Sequence, residues 1–353
     1  MKIGILGTGA IGLATAAWLA HAGHEIAVWS PGGQGASALL HAPLRCEGIL
    51  EAAVRVGVAN DLGQVAQDAQ VLLVALPNNA HRTAMDRLLP HLQAGQLVIV
   101  GAMNSLSALY LFEQAAARGV AITVASFGTT VLTARRTGET QVRINAKRLA
   151  LGVSTLPHSD AGKAMAVCQA LFGDVFVPHA NCLETMLTNT NPVAHGPLAL
   201  FNWTRIERAE DWPQYRYLTP QVAGVILRLD AERLALARAF GLEVRTIEEH
   251  FAASFGTTSA TLADIAAELH AKRGGPPGPT EVATRYLSED IPFGLAFGVA
   301  LGELAGVAME ATRTVVATAS LLLGRDLAAE NDLIGPLRLR GEAADGLLQR
   351  VRA

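Results

Sequence analysis

Cysteine is scarce in this sequence, and the three residues present are scattered. Cys46, Cys168 and Cys182 form no CxxC pair. These spacings indicate neither a disulfide framework nor a zinc site. We therefore expect no bound metal.

Charge is also scarce, and neither sign dominates. Charged residues make up 17% of the 353-residue chain, and the formal net charge is −3. Proteins that bind nucleic acid usually carry a basic excess or a basic patch. A nucleic-acid partner is therefore not expected.

Long uninterrupted apolar runs are missing as well. The longest runs are broken by glycines and by Glu303, and the N-terminus lacks the charged region, apolar stretch and cleavage site of a signal peptide. A membrane-spanning helix needs about 20 consecutive apolar residues. We expect no membrane association and a cytoplasmic location.

The chain does have the length and the apolar content for two hydrophobic cores. In its first part, continuous apolar runs alternate with helical patterns, which predicts a parallel sheet covered on both faces. The runs are IGILG (3–7), EIAVW (25–29), VLLVAL (71–76), LVIVG (97–101) and AITVAS (121–126).

The pattern changes after residue 129. TARRTGETQVRI and KRLALGVST predict paired strands with a polar turn near Asn145, and beyond about residue 180 nearly every segment has a helical period. The sequence thus predicts an α/β fold with two domains. Residues 1–180 would form a Rossmann-type dinucleotide-binding domain, and residues 181–353 an all-α domain.

The stretch GTGAIG follows the first predicted strand and opens the first predicted helix. Gly7 permits a tight turn, Gly9 lets the backbone approach a pyrophosphate, and Gly12 allows close packing of helix on strand. Ala10 and Ile11 would lie at the positive end of the helix dipole, which attracts phosphate. In this context the motif predicts a dinucleotide-binding turn; the alternative is a glycine-rich turn without a ligand.

The end of the second predicted strand bears on the choice of cofactor. NAD sites usually have an acid there, but this strand ends at Trp29 and Ser30, and the next acid is Glu47. Without an acid nothing repels a 2′-phosphate, and Ser30 can hydrogen-bond one. No basic residue follows closely, although Arg45 could fold back. We expect NADP(H), with NAD(H) as the alternative.

Two polar loops follow the next predicted strands. LPNNAH contains Pro77, and GAMNSLS contains Asn104. Both loops should lie at the carboxyl ends of strands, where ligands bind in this class of sheet. We interpret Pro77 and Asn104 as cofactor-binding residues, with ordinary polar loops as an equally good alternative.

The segment NTNPVAHGP contains an unusual histidine within the helical half. Asn191 and Pro192 predict a helix start with Asn191 as N-cap, which would place His195 in the first turn. An imidazole near the positive end of a helix has its neutral form favoured, as a general base requires. From this segment alone, a packed structural histidine is as good an interpretation as a catalytic one.

Several segments together resemble the opine dehydrogenases, the octopine and nopaline dehydrogenase type. LETMLTNTNPVAHGP is similar to the family segment that carries the catalytic histidine, and TRYLSEDIPFG (284–294) resembles the signature RYL(T/S)ED(I/V)P. GTGAIG, SFGTTVLTARRTG and YLTPQVAGVILRLDAERLALARAFG are similar too, so the likeness spans nearly the whole chain in order. Two departures concern the substrate region: Gly196 stands where the family often has proline, and VAMEATRTV replaces a proline-containing lead into the last long helix.

The resemblance implies that an amino acid and a 2-oxo acid form an imine, which NAD(P)H reduces. His195 would be the general acid/base in the helical domain, Asp290 its carboxylate partner, and Arg285 the ligand of a substrate carboxylate. Other interpretations stay open. Asp290 or Glu289 could sit at the N-terminus of a helix begun by Pro292, and Arg285 could be their counter-charge.

Two other functions fit parts of the pattern. A 2-hydroxyacid or ketopantoate-reductase-like dehydrogenase usually has a catalytic lysine in its helical domain, and only Lys163 and Lys272 lie past residue 150. A non-catalytic NADP(H)-sensing protein would not need His195 and Asp290 to meet. As partners we expect an amino acid and a 2-oxo acid, and we expect a homodimer.

Overall fold

The computed structural model describes residues 1–274 and 276–353. The chain divides into two compact units, one of residues 1–186 and 350–353 and the other of residues 187–349. The division falls somewhat after residue 180 because the next segment packs into the first unit, where Cys182 is buried and the Thr185 hydroxyl donates to Ser154 Oγ over 2.8 Å. The last residues also return to this unit, and Ala353 O accepts from His158 N over 2.7 Å.

The first unit contains the described strands, which are short and mostly apolar. In chain order they are β1 (Lys2–Leu6), β2 (Glu25–Trp29), β3 (Leu44–Gly48), β4 (Ala52–Val54), β5 (Gly57–Val58), β6 (Val71–Val74), β7 (Leu97–Val100), β8 (Thr123–Phe127), β9 (Leu132–Gly138), β10 (Gln141–Lys147), β11 (Leu151–Leu156) and β12 (Phe176–Pro178).

The main sheet has eight strands in the order β12-β11-β8-β7-β6-β1-β2-β5. Neighbouring strands are parallel except β11, which runs antiparallel to β8. The strand order reverses between β1 and β6, which is the switch point at which nucleotides bind in such sheets. The predicted α/β class and Rossmann-type sheet are confirmed.

A second sheet has the order β4-β3-β10-β9. Its hairpin corrects the predicted pairing, because β9 pairs with β10 through a turn at Glu139 and Thr140, not near Asn145. The predicted partner KRLALGVST instead supplies β11 to the main sheet, where the apolar run is buried. The turn forms at Glu139 and Thr140 because both residues are polar and Gly138 directly precedes them. The short strands β3 to β5 were not predicted.

The helices of the first unit lie against these sheets. They are α1 (Ala10–His21), α2 (Gln34–Ser37), α3 (Leu62–Ala66), α4 (His81–Leu88), α5 (Ser107–Ala117), α6 (Ala161–Phe172) and α7 (Cys182–Leu187), with 3-10 turns at Ala38–Leu40, Asn78–Ala80, Leu89–His91 and His158–Asp160. Helix α1 packs against strands of both sheets, and one apolar core joins them. The three cysteines are buried and unpaired.

Among the described residues of the second unit, helices are the regular elements, apart from an isolated bridge between Pro213 and Pro277. Its helices are α8 (Asn191–Leu200), α9 (Trp203–Glu207), α10 (Pro220–Ala239), α11 (Ile247–Phe255), α12 (Leu262–Arg273), a π-helix (Tyr286–Leu295), α13 (Ala296–Ala305), α14 (Glu310–Leu323) and α15 (Ala344–Val351). No helix among the residues described is long and apolar enough to cross a membrane.

The predicted helix start at Pro292 is wrong, because Pro292 lies inside the π-helix. Proline lacks an N–H and its ring clashes with the carbonyl one α-turn earlier, and the wider i→i+5 turn accommodates both effects. The Pro292 carbonyl oxygen accepts from Asn331 Nδ2 over 2.9 Å. Asp290 therefore lies inside the helix, whereas Glu289 lies in its first turn, so the helix-terminal interpretation fits Glu289 and not Asp290.

Candidate active site

The glycine-rich turn has the geometry of a phosphate-binding turn. Gly7 has φ +118°, and a side chain there would come within 2.4 Å of Ala75 O. A Cβ at Gly12 would lie 2.0 Å from Gly7 O, so helix and turn touch, whereas a Cβ at Gly9 would meet nothing within 4 Å. Gly7 and Gly12 thus make the turn tight, and Gly9 leaves open space above it.

The same turn presents backbone donors to that open space. Gly9 is the N-cap of α1, and no side chain caps the helix. The N–H groups of a first helical turn have no intrahelical partner, so those of Ala10 and Ile11 are suited to an anion. The residues present therefore fit a dinucleotide pyrophosphate.

At the end of β2 the structure places a cation that sequence reasoning missed. The Arg136 guanidinium donates from Nη1 to Thr8 O over 3.1 Å and from Nη2 to Gly35 O over 3.4 Å. Its other two bonds reach carbonyl oxygens of its own hairpin. Ser30 lies beside this group, with its Oγ 2.8 Å from where a Gly35 Cβ would be. Arg45, by contrast, is an exposed residue of β3.

The loops after β6 and β7 are joined by a buried polar network. His81 is fully buried, its Nε2 donates to Leu76 O over 3.0 Å, and its Nδ1 lies 2.8 Å from Ser107 Oγ. Because the carbonyl can only accept, Nε2 carries the proton and Nδ1 accepts from the hydroxyl. Burial lowers the pKa of His81 to about 4, so the imidazole is neutral at neutral pH.

A second crosslink between these loops involves the predicted residue Asn104. Its backbone N–H donates to Asn78 Oδ1 over 2.9 Å, and Asn78 Nδ2 donates to Ala102 O over 3.2 Å. Asn104 is 5% exposed, while Pro77 is exposed at the start of a 3-10 turn. The loop geometry thus makes Asn104 a buried residue and leaves Pro77 accessible.

In the helical unit the two residues predicted as a catalytic pair meet. His195 Nδ1 lies 2.8 Å from Asp290 Oδ2, and their side chains are 15% and 5% exposed. A carboxylate only accepts hydrogen bonds, so Nδ1 carries a proton and donates a hydrogen bond to Asp290. Among the residues that the structure describes, none bonds to Nε2. Nε2 is therefore the nitrogen left for proton exchange.

The local sequence explains why these two helices come so close. A Cβ at Gly294 of the π-helix would lie 2.4 Å from Pro192 Cγ of α8, and a Cβ at Gly196 would lie 2.9 Å from Leu295 Cδ1. Glycine at both positions permits the contact. Helix α8 begins at Asn191 with Thr190 as its N-cap, so His195 is its fifth residue and lies one position beyond the predicted first turn.

Arg285 and Glu289 occupy different environments around this pair. Arg285 is exposed, directly before the π-helix, with no hydrogen bond or ion pair to any described residue. Glu289 is 8% exposed. Arg285 is therefore not the counter-charge of a buried acid pair, and its guanidinium remains available to an anion.

Sequence reasoning also missed Tyr286 and Gln214. The Tyr286 ring lies flat on the His195 imidazole, with centroids 3.8 Å apart and an interplanar angle of 6°. Its hydroxyl donates to Gln214 Oε1 over 2.8 Å. Tyr286 precedes Asp290 by about one helical turn, a spacing that could have placed both on one face. No local signal pointed to Gln214.

Charged residues in the middle of α10 are structural. Asp230 and Arg233 form a buried ion pair at 2.7 Å, and Glu232 accepts from the first N–H groups of α14. Lys163 and Lys272 are exposed, and each pairs with a nearby acid. Neither lysine has the setting of a buried catalytic amine, which argues against a lysine-dependent reductase.

Two family models match this chain, one on each unit. A model described as "NAD/NADP octopine/nopaline dehydrogenase, alpha-helical domain" matches residues 178–323. A model described as "Ketopantoate reductase PanE/ApbA" matches residues 3–154. The ketopantoate reductase likeness in this comparison is thus confined to the nucleotide-binding part.

Whole-chain relatives agree with the helical match. An opine dehydrogenase of Arthrobacter sp. (strain 1C) is 29% identical over 355 residues, with 98% of each chain covered. Octopine dehydrogenase solved with NADH and L-arginine has TM-score 0.81 at 18% identity, covering 99% of this chain and 98% of that one. Yersinopine dehydrogenase with NADP⁺ bound has TM-score 0.72 at 16% identity, covering 100% and 98%. Over its whole length the chain is thus similar to the opine dehydrogenases, and these matches indicate an NAD(P)-dependent oxidoreductase that acts on CH–NH donors.

Proposed function

We propose that the protein catalyses the NAD(P)H-dependent reductive condensation of an amino acid with a 2-oxo acid. The amine and the keto group form an imine with loss of one water, and the imine takes up one hydride and one proton to give a secondary amine. The observation that carries the proposal is the 2.8 Å contact between His195 Nδ1 and Asp290 Oδ2, with Nε2 left without a partner among the described residues.

His195 is the general acid/base, and Asp290 positions it. The Asp290 carboxylate fixes the tautomer by accepting from Nδ1, so that the proton exchanged with substrate is always at Nε2. The same carboxylate stabilises the imidazolium when Nε2 is protonated. Since the pair is largely buried, this stabilisation is stronger than it would be in water.

Arg285 binds a substrate carboxylate. Both reactants carry one, and the guanidinium offers a planar fork of donors that matches a carboxylate. Its exposure supports this role, as does the absence of a side-chain partner among the described residues. Octopine dehydrogenase, a structural neighbour, has been solved with L-arginine, with agmatine and with pyruvate. The amino acid and the oxo acid used by this chain are left to experiment.

The nucleotide is held by the first unit, and we propose NADP(H) as the preferred form. The turn at Gly7, Gly9 and Gly12 and the N–H groups of α1 hold the pyrophosphate, and the bound nicotinamide supplies the hydride. Ser30 replaces the acid that would repel a 2′-phosphate. Arg136, whose described partners are all carbonyl oxygens, keeps its full positive charge beside that position.

The test is turnover with purified protein. Oxidation of NADPH and of NADH is followed with pyruvate, oxaloacetate, glyoxylate or 2-oxoglutarate against a panel of amines. We expect His195→Ala to lower kcat by about 10²-fold or more, since general acid–base catalysis contributes that much, while cofactor binding by fluorescence is kept. His270→Ala is the matched control. Undiminished turnover in His195→Ala would contradict the mechanism.

A second arm tests the carboxylate ligand. Arg285→Lys keeps the charge but loses the planar fork, so we expect the KM for one substrate to rise about tenfold with a smaller change in kcat. An unchanged KM for both substrates would remove Arg285 from the site.

The non-catalytic alternative, a sensor of NADP(H), finds less support, because it does not require the imidazole and carboxylate to meet. We further propose a cytoplasmic location and a homodimer. Sedimentation velocity measures the oligomeric state directly.

A further inference from the structure

The His195 imidazole is held on two sides by one helix. Asp290 binds its Nδ1 edge at 2.8 Å, and Tyr286, about one turn earlier in the same π-helix, covers its face at 3.8 Å between centroids and 6° between planes. The hydrogen bond fixes the rotation of the ring within its plane, and the stack fixes the plane. Together the two contacts determine where Nε2 points.

The stacking partner is itself anchored. The Tyr286 hydroxyl donates to Gln214 Oε1 over 2.8 Å, and Gln214 is 6% exposed. Burial raises the pKa of Tyr286 to about 12, so the phenol stays neutral over the working range of the enzyme. A neutral phenol ring presents an electron-rich face, and such a face attracts a cation placed over it.

From this geometry we propose that Tyr286 is a positioning residue that aims Nε2 of His195 and stabilises the imidazolium through its ring face. The proposal rests on the proposed function, in which His195 gains and loses a proton in each cycle. Asp290 supplies a negative charge at the edge of the imidazolium, and Tyr286 supplies the negative side of its quadrupole over the face. The aromatic ring, not the hydroxyl, is the part that acts on His195.

Other charges also lie on the elements that pack against α8. The π-helix and its start carry Glu289 and Arg285. Helix α10 carries the buried Asp230–Arg233 pair and Glu232, which are held by their own bonds, and also Arg228 and Arg238. The charged residues of α9 and α14 are Arg205, Glu207, Glu310 and Arg313. None of these is altered in the variants below, so a change in pH dependence reports on the stack.

The experiment compares wild type with Tyr286→Phe and Tyr286→Leu. Phenylalanine keeps the stack and loses the bond to Gln214, whereas leucine keeps apolar volume and loses the aromatic face. The readouts are the pH profile of kcat/KM for imine reduction and the NMR titration of the His195 imidazole in the cofactor-free protein. Tyr217→Leu removes a tyrosine of the same unit that packs on Trp212 and Arg205, and it serves as control.

We expect Tyr286→Phe and Tyr217→Leu to keep the wild-type profile, with kcat within about threefold. Tyr286→Leu should move the alkaline limb and the NMR midpoint of His195 to lower pH by about half to one and a half units, the equivalent of a cation–π contact. It should also lower kcat about tenfold or more, because the ring plane is no longer fixed. An unshifted titration in Tyr286→Leu, or an equal shift in Tyr286→Phe, would overturn the proposal.

The two readouts separate this inference from the proposed function. The NMR titration needs no turnover. If Tyr286→Leu shifts the His195 midpoint but the wild-type protein is inactive on every substrate pair, the proposed function is contradicted and the stacking effect is supported. If the wild-type protein turns over but the midpoint is unshifted, the proposed function is supported and the stacking effect is contradicted. Chemical denaturation of each variant confirms that the compared proteins are folded.

Discussion

The Asp290 carboxylate determines which nitrogen of the neutral His195 imidazole carries the proton. Because it accepts from Nδ1 of His195, it keeps the basic lone pair, or the acidic proton, at Nε2. An amide in its place could donate to Nδ1 and thereby favour the wrong tautomer.

For this reason we expect Asp290→Asn to lower kcat by up to about 10⁴-fold, the loss found for an analogous change in a catalytic triad. Cofactor binding should be unchanged, since the glycine-rich turn belongs to the other unit. Stopped-flow measurement of NADPH oxidation checks the rate. Asp264→Asn, at the start of α12, should leave kcat unaltered. A kcat within threefold of wild type in Asp290→Asn would contradict the pairing.

Arg136 is the second residue for which the structure makes a specific prediction. Replacing it with methionine removes the positive charge beside Ser30 and should raise the KM for NADPH about tenfold, with a smaller effect on NADH, because only NADPH carries a 2′-phosphate. Arg135→Met changes the exposed neighbour on the same strand and is the control. An equal rise in KM for NADPH and NADH would mean that Arg136 only stabilises the backbone at Thr8 and Gly35.

Among single residues, the sequence and its resemblance to the opine dehydrogenases predicted His195, Asp290 and Arg285 as members of one active site. The structure brings His195 and Asp290 into contact. Arg136 could not be predicted, since it reaches Thr8 across 128 positions of chain through a second sheet. Tyr286 lay inside the recognised signature, but only the packing of α8 on the π-helix shows that its ring covers the imidazole.

The contact between α8 and the π-helix depends on glycine at the crossing. A Cβ at Gly294 would overlap the Pro192 ring, which is rigid and cannot turn away. The two helices would have to separate, and the bond between His195 and Asp290 spans the same contact.

We therefore expect Gly294→Ala to destabilise the protein by about 1–3 kcal/mol, as overpacking usually does, and to lower kcat more than the loss of folded protein explains. Gly298→Ala in α13 is the matched control, because its Cβ would meet only Met309 Cε at 3.8 Å. That variant should be neutral or stabilised by up to about 1 kcal/mol. Denaturation curves measure the free energy of unfolding, and kcat is compared at equal folded fraction. If both variants lose the same stability and the same kcat, glycine at position 294 is not required for the contact between α8 and the π-helix.

Most elements followed from hydrophobic periodicity, but two did not. The β9–β10 hairpin was misassigned because polar residues near Asn145 imitate a turn, while the true turn depends on which strands pair. The π-helix was missed because Pro292 is an ordinary helix-start signal. Only the surrounding packing, including Asn331 on its carbonyl, stabilises it within a helix.

For the molecule as a whole, the buried His81 couples stability to pH. Its pKa is about 4 in the folded protein, against 6.5 for an exposed imidazole. Between these values the unfolded chain binds a proton that the folded protein does not, so stability falls as pH falls. The loss from this residue is on the order of 3 kcal/mol between about pH 6.5 and pH 4.

His81→Gln should lower stability at pH 7 yet flatten its decline through this range, because glutamine takes up no proton. His41→Gln, an exposed site, should keep the wild-type slope. Urea denaturation at a series of pH values measures both slopes. A slope in His81→Gln as steep as in wild type would show that other groups cause the acid sensitivity.

The sequence by itself determined the strand–helix alternation, the dinucleotide-binding turn and the likeness to opine dehydrogenases, because periodicity, glycine spacing and signature motifs are local properties of the chain. The tertiary structure alone decided which nitrogen of His195 is open, which ring covers it and which arginine lies at the end of β2. Those relations join residues far apart in sequence, and they arise only when packed helices and sheets bring the side chains within a few ångströms.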